Sequence, residues 1–277
     1  GQSSFTMIWL GLSVLCSVLI ANFLMVLGRK GKISMLPVFL GNYFVASLFS
    51  VFTLPDLAAP LSAFDLGFGI FTGALFLANF WVYQKCIVVN GLSLSVGSMR
   101  IAMIIPVLMA LVVFGEKLSW VNILGIVLGL LAFAGKSDPK ALHNLFWIIL
   151  LFAVSGFTDA ATKIYKELGS GHEAYFVYFI FTSAFVYTLL SLLVGRVRFG
   201  LSALLSGFAL GVPNRFSTVF FLRGLDTVPA AIAYPLVAVL IVLLSIISDI
   251  VIWKKRIERS DLILWVLLII SLILLNM

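Results

Sequence analysis

The sequence GIFTGALFLANFWVYQK at residues 69–85 aligns without a gap with GFALGVPNRFSTVFFLR at residues 207–223. The separation of 138 residues is about half of the 277-residue chain. The pairs matched at this separation are Gly69 with Gly207, Gly73 with Gly211, Lys85 with Arg223, Trp9 with Trp147 and Ser17 with Ser155. One constant separation across several matches indicates that the chain contains an internal repeat.

The composition predicts an integral membrane protein built from helices. Hydrophobic residues make up 62% of the chain, charged residues 10%, and the mean hydropathy is +1.20. A soluble protein of this length needs more charge to cover its surface, and the sequence lacks the alternating pattern of a membrane β-barrel. The ten predicted membrane spans are 6–27, 34–53, 65–85, 92–114, 119–135, 145–165, 173–194, 203–222, 229–252 and 260–276.

Each half of the chain contains five of these spans. Because five is odd, the second half enters the membrane from the opposite side to the first. The predicted fold class is therefore an all-α membrane protein with ten transmembrane helices in two inverted five-helix repeats, residues 1–138 and 139–277. Inverted repeats are the architecture that many secondary transporters use for alternating access.

Two stretches resemble the EamA-like branch of the drug/metabolite transporter superfamily. Residues 90–135 resemble its fourth and fifth helices through Pro106, the pair Gly115–Glu116 and the glycine-rich GIVLG that follows. Residues 213–236 resemble its eighth helix leading into the ninth. The resemblance implies a central cavity lined by helices one, three, four, six, eight and nine. The chain departs from the family near Lys255, where a second acidic residue matching Glu116 is expected.

Four charged residues fall deep within predicted spans. Arg100, Arg215, Asp159 and Lys163 lie several residues from the nearest span end, and a charge at the centre of a membrane helix costs about 2.5–3.5 kcal/mol. Asp159 and Lys163 stand four residues apart, the spacing of a favourable helical ion pair. If they neutralise each other, the two arginines remain as candidates for binding an acidic group of a substrate. The alternatives are arginines that extend to the interface or that bind helix carbonyls.

Further polar residues and prolines complete the predicted site. The candidates for substrate binding, besides the arginines, are Asn79, Tyr83, Asn214 and Tyr234. A lone polar residue in a membrane helix also serves to hold helices together. Pro106, Pro213 and Pro235 are predicted to break or bend their helices and to act as hinges. Asp159 and Lys163 are assigned to charge balance or proton relay.

The predicted function is secondary-active or facilitative transport of a small polar metabolite, anionic or zwitterionic, by alternating access through a central cavity. The alternatives are a lipid flippase or scramblase on the same fold, a cationic drug exporter, an enzyme acting on lipid phosphates, and a channel or structural subunit. The chain is not expected to be an enzyme, and we expect no cofactor, no metal and no nucleic acid. Expected partners are a small-molecule substrate and membrane lipids, with the protein a monomer or homodimer in a bacterial inner membrane.

Loop charges predict the orientation. Twelve basic residues fall in or beside the loops after odd-numbered spans and four in the others, and the positive-inside rule places the basic loops in the cytoplasm. Both termini would then be outside, whereas the resembled family has them inside. A reporter active only in the cytoplasm, fused to either terminus, distinguishes these orientations.

Overall fold

Helices account for nearly all of the secondary structure. The computed structural model describes residues 2–29, 34–55, 60–90, 92–136, 142–198 and 200–277, with side chains described except at 2–6, 28, 29, 92, 93 and 136. Within these ranges there are eleven helices and no strand. They are α1 (Gln2–Arg29), α2 (Met35–Val51), α3 (Ala63–Asn90), α4 (Leu92–Ile101), α5 (Ile104–Val112), α6 (Trp120–Lys136), α7 (Leu145–Leu168), α8 (Glu173–Val194), α9 (Leu201–Gly224), α10 (Ala230–Val251) and α11 (Arg259–Leu275).

Several segments are long and apolar enough to cross a membrane. Among the described residues there are six of them: Met7–Leu27, Ala63–Asn90, Leu94–Val112, Leu145–Leu168, Glu173–Val194 and Ala230–Val251. Helices lie in all ten predicted spans. Lys85, assigned to a loop from the sequence, lies inside α3 instead. Of the other basic residues in the predicted loops, Lys30, Lys32 and Lys140 lie outside the described residues.

The fourth predicted span is two helices, α4 and α5, and Pro106 explains the break. Proline has no N–H, and its ring collides with the carbonyl four residues earlier, here that of Ala102. The Ile105 N–H bonds this carbonyl instead at 3.0 Å, and the Met103 N–H bonds the Arg100 carbonyl at 3.2 Å, both across three residues. The predicted breaks at Pro213 and Pro235 are wrong, because both prolines lie inside the continuous helices α9 and α10.

The helices form two compact units. The first unit consists of Ile8–Leu77 and Ile164–Arg223, and the second of Gly1–Met7, Ala78–Lys163 and Gly224–Met277. Each unit therefore combines segments from both halves of the chain. The division into residues 1–138 and 139–277 describes a repeat of sequence, and it stays a prediction.

In the first unit, paired glycines allow two close helix crossings. A methyl group built on Gly207 of α9 would lie 2.9 Å from the Asn42 nitrogen and closer still to the Val38 carbonyl oxygen of α2. A methyl group built on Gly73 of α3 would lie 2.6 Å from the Ile180 carbonyl oxygen of α8. At both crossings the backbones approach so closely that only glycine fits.

The neighbours of these glycines correspond to one another at the separation seen in the sequence. Methyl groups on Gly207 and Gly211 would meet residues 38, 41, 42 and 45 of α2, whereas those on Gly69 and Gly73 would meet residues 176, 179, 180, 183 and 184 of α8. Adding 138 to the four α2 positions gives 176, 179, 180 and 183. The α9–α2 and α3–α8 crossings are therefore counterparts.

The packing of α2 on α8 shows the same correspondence. The Ser47 hydroxyl bonds the Thr182 hydroxyl at 2.6 Å, and the Phe44 ring lies 5.7 Å from the Phe185 ring. Adding 138 to 44 and 47 gives 182 and 185, so each of these contacts is the counterpart of the other. The Tyr43–Phe181 stack is its own counterpart.

In the second unit, a helix-ending turn occurs twice. After α5, the Phe114 N–H bonds the Met109 carbonyl at 3.2 Å and the Glu116 N–H bonds the Ala110 carbonyl at 3.0 Å. After α10, the same bonds join residue 253 to 248 at 3.3 Å and residue 255 to 249 at 3.0 Å. All four positions correspond at a separation of 139, one residue more than in the first unit.

Each copy of this turn needs one residue with left-handed backbone. Gly115 has φ 69° in the first copy, and Lys254 has φ 54° in the second. Because glycine has no Cβ, it adopts this conformation without steric cost, whereas another residue pays roughly 1–2 kcal/mol. The second copy is therefore strained where the first is relaxed.

Replacing Lys254 by glycine is expected to stabilise the protein by about 1 kcal/mol, because it removes this strain. The measurement is thermal unfolding of the purified, detergent-solubilised protein. Lys255→Gly removes the same charge from the neighbouring position and serves as the control. Equal unfolding temperatures for the two variants would contradict the strain.

Candidate functional site

The second unit contains a polar cluster between apolar helices, and α7 provides its centre. Ser155, Asp159 and Thr162 stand at spacings of four and three residues, so they share one face of α7. The Ser155 hydroxyl donates to Asn79 Oδ1 of α3 at 2.6 Å. The polar face of α7 is thus the face that contacts α3.

Asp159 is accessible on this face, not on the apolar one. Phe157 precedes it by two residues and is 50% exposed. With about 100° of rotation per helical residue, the two side chains point in nearly opposite directions. Asp159 is itself exposed, although it lies in the middle of an apolar helix. Its carboxylate is therefore accessible on the side opposite the exposed apolar surface of α7.

Arg100 of α4 lies near this carboxylate and near Tyr83 of α3. Asp159 and Arg100 are close enough to attract each other, and so are Arg100 and the phenolic oxygen of Tyr83. Arg100 and Tyr83 are both half-buried. Among the described residues, neither the guanidinium nor the carboxylate forms a direct ion pair or a side-chain hydrogen bond. The structure thus brings together two opposite charges whose hydrogen-bonding groups are open.

Tyr234 of α10 has a supporting position beside the charges. Its hydroxyl donates to the Asp159 backbone carbonyl at 2.5 Å and also bonds the Thr162 hydroxyl. The side chain is buried, and its contacts join α10 to α7. Tyr234 was predicted to bind substrate, but these contacts position the helix segment that carries Asp159.

Lys163 forms its ion pair with Glu116 and not with Asp159. Its ammonium lies 2.8 Å from Glu116 Oε2 and 5.5 Å from the centre of the Phe114 ring. The other carboxylate oxygen of Glu116 accepts the Ala231 N–H at 3.2 Å. The predicted ion pair within α7 is wrong, because a residue distant in the chain reaches the ammonium. The predicted surplus of positive charge is also wrong for the second unit, since Glu116 adds a second carboxylate.

Glu116 is a residue whose role the sequence analysis missed. Ala231 lies in the first turn of α10, whose N-cap is Pro229 and provides no side-chain hydrogen bond. A carboxylate is stabilising at a helix N-terminus, where free N–H groups carry partial positive charge. Gly115 turns the chain so that the following acid can cap another helix. A left-handed glycine followed by glutamate, together with an uncapped proline start elsewhere, was the available signal.

Arg215 lies in the first unit, at the C-terminal end of α2. Its Nε donates to Ser50 Oγ at 3.3 Å and its Nη2 donates to Thr53 Oγ1 at 2.9 Å. The guanidinium also stacks 4.9 Å from the centre of the Phe216 ring. Only 4% of Arg215 is exposed. The protein itself thus surrounds the group predicted to bind a substrate.

The two hydroxyls connect this charge to the end of α2. Ser50 Oγ donates to the Ala46 carbonyl at 2.7 Å, and Thr53 Oγ1 donates to the Ser50 carbonyl at 3.0 Å. Carbonyls in the last turn of a helix carry partial negative charge, which favours a nearby cation. Arg215 therefore acts as a C-terminal cap of α2. Its neighbour Asn214 donates to Asn42 Oδ1 of α2 at 3.0 Å.

Asp65 is a second missed carboxylate, and it too is structural. It is fully buried at the start of α3. One oxygen accepts the Ser170 N–H at 3.1 Å, while the other accepts the Tyr165 hydroxyl at 3.1 Å and the Ser170 hydroxyl. These bonds attach the α7–α8 connection to α3.

Comparison with known proteins gives a fold and a distant relative. No family model matches the chain. A protein of Haemophilus influenzae, described as uncharacterized, is 25% identical over 280 residues, which cover 94% of this chain and 93% of that protein. A protein known from a crystal structure is similar with a TM-score of 0.76 at 12% identity, covering 99% of this chain and 97% of the other. At that identity the similarity shows the fold alone.

Proposed function

We propose that the protein is a multi-pass membrane transporter that moves a small polar solute by alternating access. The observation that carries the proposal is the open pair of opposite charges, Arg100 and Asp159, between helices apolar enough to span a bilayer. Such charges are costly in a membrane and usually serve binding or ion pathways. The resemblance to the EamA-like transporters favours the same function.

The paired packing supports two inverted five-helix repeats. In the first unit the helix crossings and the α2–α8 contacts correspond at 138 residues, and in the second unit the turns correspond at 139. The Asn79–Ser155 bond also has a counterpart in the first unit, where the Ser17 and Ser217 hydroxyls lie 3.3 Å apart. Repeats of this kind provide two equivalent arrangements between which a carrier can alternate.

The charges do not follow the repeat, which favours a functional role for them. The position matching Asp159 at 138 residues is Ala21, and the position matching Arg100 is Ala238, or Val239 at 139. A charge needed by the scaffold would be expected in both halves. In the proposal Arg100 and Asp159 bind the solute, Asn79 and Tyr83 lie beside them, and Tyr234 positions Asp159.

Arg100→Gln and Asp159→Asn are expected to reduce transport about tenfold or more, because each removes a charged binding partner worth roughly 1.5–3 kcal/mol. The assay uses proteoliposomes loaded with a defined mixture of amino acids, carboxylates, amines, sugars and phosphate esters. Mass spectrometry of the retained solutes, compared with empty liposomes, identifies what the protein releases. Arg256→Gln, which removes an exposed charge outside the helices, is the control.

Two results would contradict the proposal. Release of no solute by the wild-type protein would remove the transport function. Accelerated flipping of fluorescent phospholipids without solute release would instead favour the scramblase alternative. Unchanged release by both charge variants would show that transport uses a different site.

A further inference from the structure

The paired charges of the second unit limit the kind of solute that fits, and the inference drawn from them rests on the proposed function. Arg100 comes from α4 and Asp159 from α7, so separate helices hold the two groups apart. They attract each other but are not in direct contact among the described residues. Each therefore has unused hydrogen-bonding capacity directed toward a shared space.

The other charges of the second unit do not compete for this space. Lys163 and Glu116 pair with each other, with side-chain exposures of only 9% and 15%. Glu116 is further held by the first turn of α10. The ion pair is thus occupied in the scaffold, and the accessible charges are one cation and one anion.

This pair disfavours solutes that carry a single charge. A simple anion bound by Arg100 would be repelled by Asp159, and a simple cation bound by Asp159 would be repelled by Arg100. A molecule that carries both an acid and an amine satisfies both groups and adds no net charge. The polar neighbours Asn79 and Tyr83 can bond its remaining polar atoms.

We propose that the solute is a zwitterion whose acidic group binds Arg100 and whose ammonium group binds Asp159. When the solute leaves, the guanidinium and the carboxylate can turn toward each other. The empty carrier then contains no isolated charge while it changes conformation. The same two residues thus serve binding and the return step.

Matched probes test this charge requirement on the purified, detergent-solubilised protein. The zwitterions are the standard amino acids and 4-aminobutanoate. For leucine and phenylalanine, the amines and carboxylic acids of the same skeleton are measured beside them. The readout is the ligand-dependent shift of the unfolding temperature, followed by titration of any probe that produces a shift.

At least one zwitterion is expected to bind, and its matched amine and acid about tenfold more weakly or not at all. Asp159→Asn and Arg100→Gln are each expected to weaken zwitterion binding about tenfold or more. Asp159→Asn should improve relative binding of the acid, and Arg100→Gln that of the amine. Arg256→Gln should leave all affinities unchanged.

The outcomes separate this inference from the proposed function. Preferential binding of acids alone or amines alone overturns the zwitterion while leaving transport intact. Zwitterion binding that survives both variants overturns the assignment to these residues. Binding of no zwitterion, when the loaded proteoliposomes release another solute, also overturns it. Release of no solute at all overturns the proposed function itself.

Discussion

Gly207→Ala is expected to lower the free energy of unfolding by about 3 kcal/mol, the largest stability effect that the structure predicts. The added methyl group would lie 2.9 Å from the Asn42 nitrogen and 3.0 Å from Gly41 Cα. These are backbone atoms of α2, so no side-chain rotation can relieve the overlap. Overpacking a close contact costs roughly 1–3 kcal/mol, occasionally more, and membrane helices depend on such packing for their association.

The internal correspondence provides a second test of the same crossing. Gly73→Ala, at the position matching Gly211, would place a methyl group 2.6 Å from the Ile180 carbonyl oxygen of α8 and 3.1 Å from the Ala184 nitrogen. Similar losses are therefore expected for Gly207→Ala and Gly73→Ala. The measurements are the monodisperse fraction on size-exclusion chromatography and the unfolding temperature.

Gly67→Ala in α3 is the matched control for these variants. A methyl group there meets no atom within 4 Å, and alanine favours a helix over glycine by about 1 kcal/mol. This variant should be as stable as the wild type or more so. Wild-type stability of Gly207→Ala would show that α2 and α9 do not cross as closely as described.

Arg215→Met is expected to destabilise the protein by about 2–4 kcal/mol, since it removes two charged hydrogen bonds from a buried site. Methionine retains much of the side-chain volume but leaves the Ser50 and Thr53 hydroxyls without their donor. The end of α2 loses its cation at the same time. The measurement is the unfolding temperature of the purified protein without solute.

Arg223→Met on the same helix separates a cap from a general charge effect. Arg223 is exposed and stacks 4.9 Å from the centre of the Trp9 ring, an interaction worth about 0.5–1 kcal/mol at exposed sites. Its loss should therefore have a smaller effect. A stable Arg215→Met that fails only in solute binding would return Arg215 to the binding site predicted from the sequence.

Helix positions were largely predictable from the chain because they follow from local hydropathy. Runs of apolar residues long enough to span a bilayer must form helices that satisfy their own backbone groups, and helices occupy all ten predicted segments. The interruption of the fourth span could also be explained by Pro106. For Pro213 and Pro235 the same local rule failed, because proline alone does not decide whether a helix continues.

Charge partners were less predictable. The spacing of Asp159 and Lys163 favours a local pair, yet Lys163 binds Glu116 from the connection between α5 and α6. Arg215 was predicted to bind a solute, yet α2 supplies hydroxyls that hold it. Both outcomes depend on which distant segment brings a complementary group within about 3 Å.

By itself, the sequence determined where the helices lie and which positions correspond between the halves, because apolar runs and glycine spacing act locally and repeat along the chain. Only the tertiary structure decided which charges are held by the protein and which remain open. A side chain selects its partner from all the groups that folding brings near it, and most of these groups are distant in sequence. Arg100 and Asp159 became the candidate site because other residues hold Lys163 and Arg215.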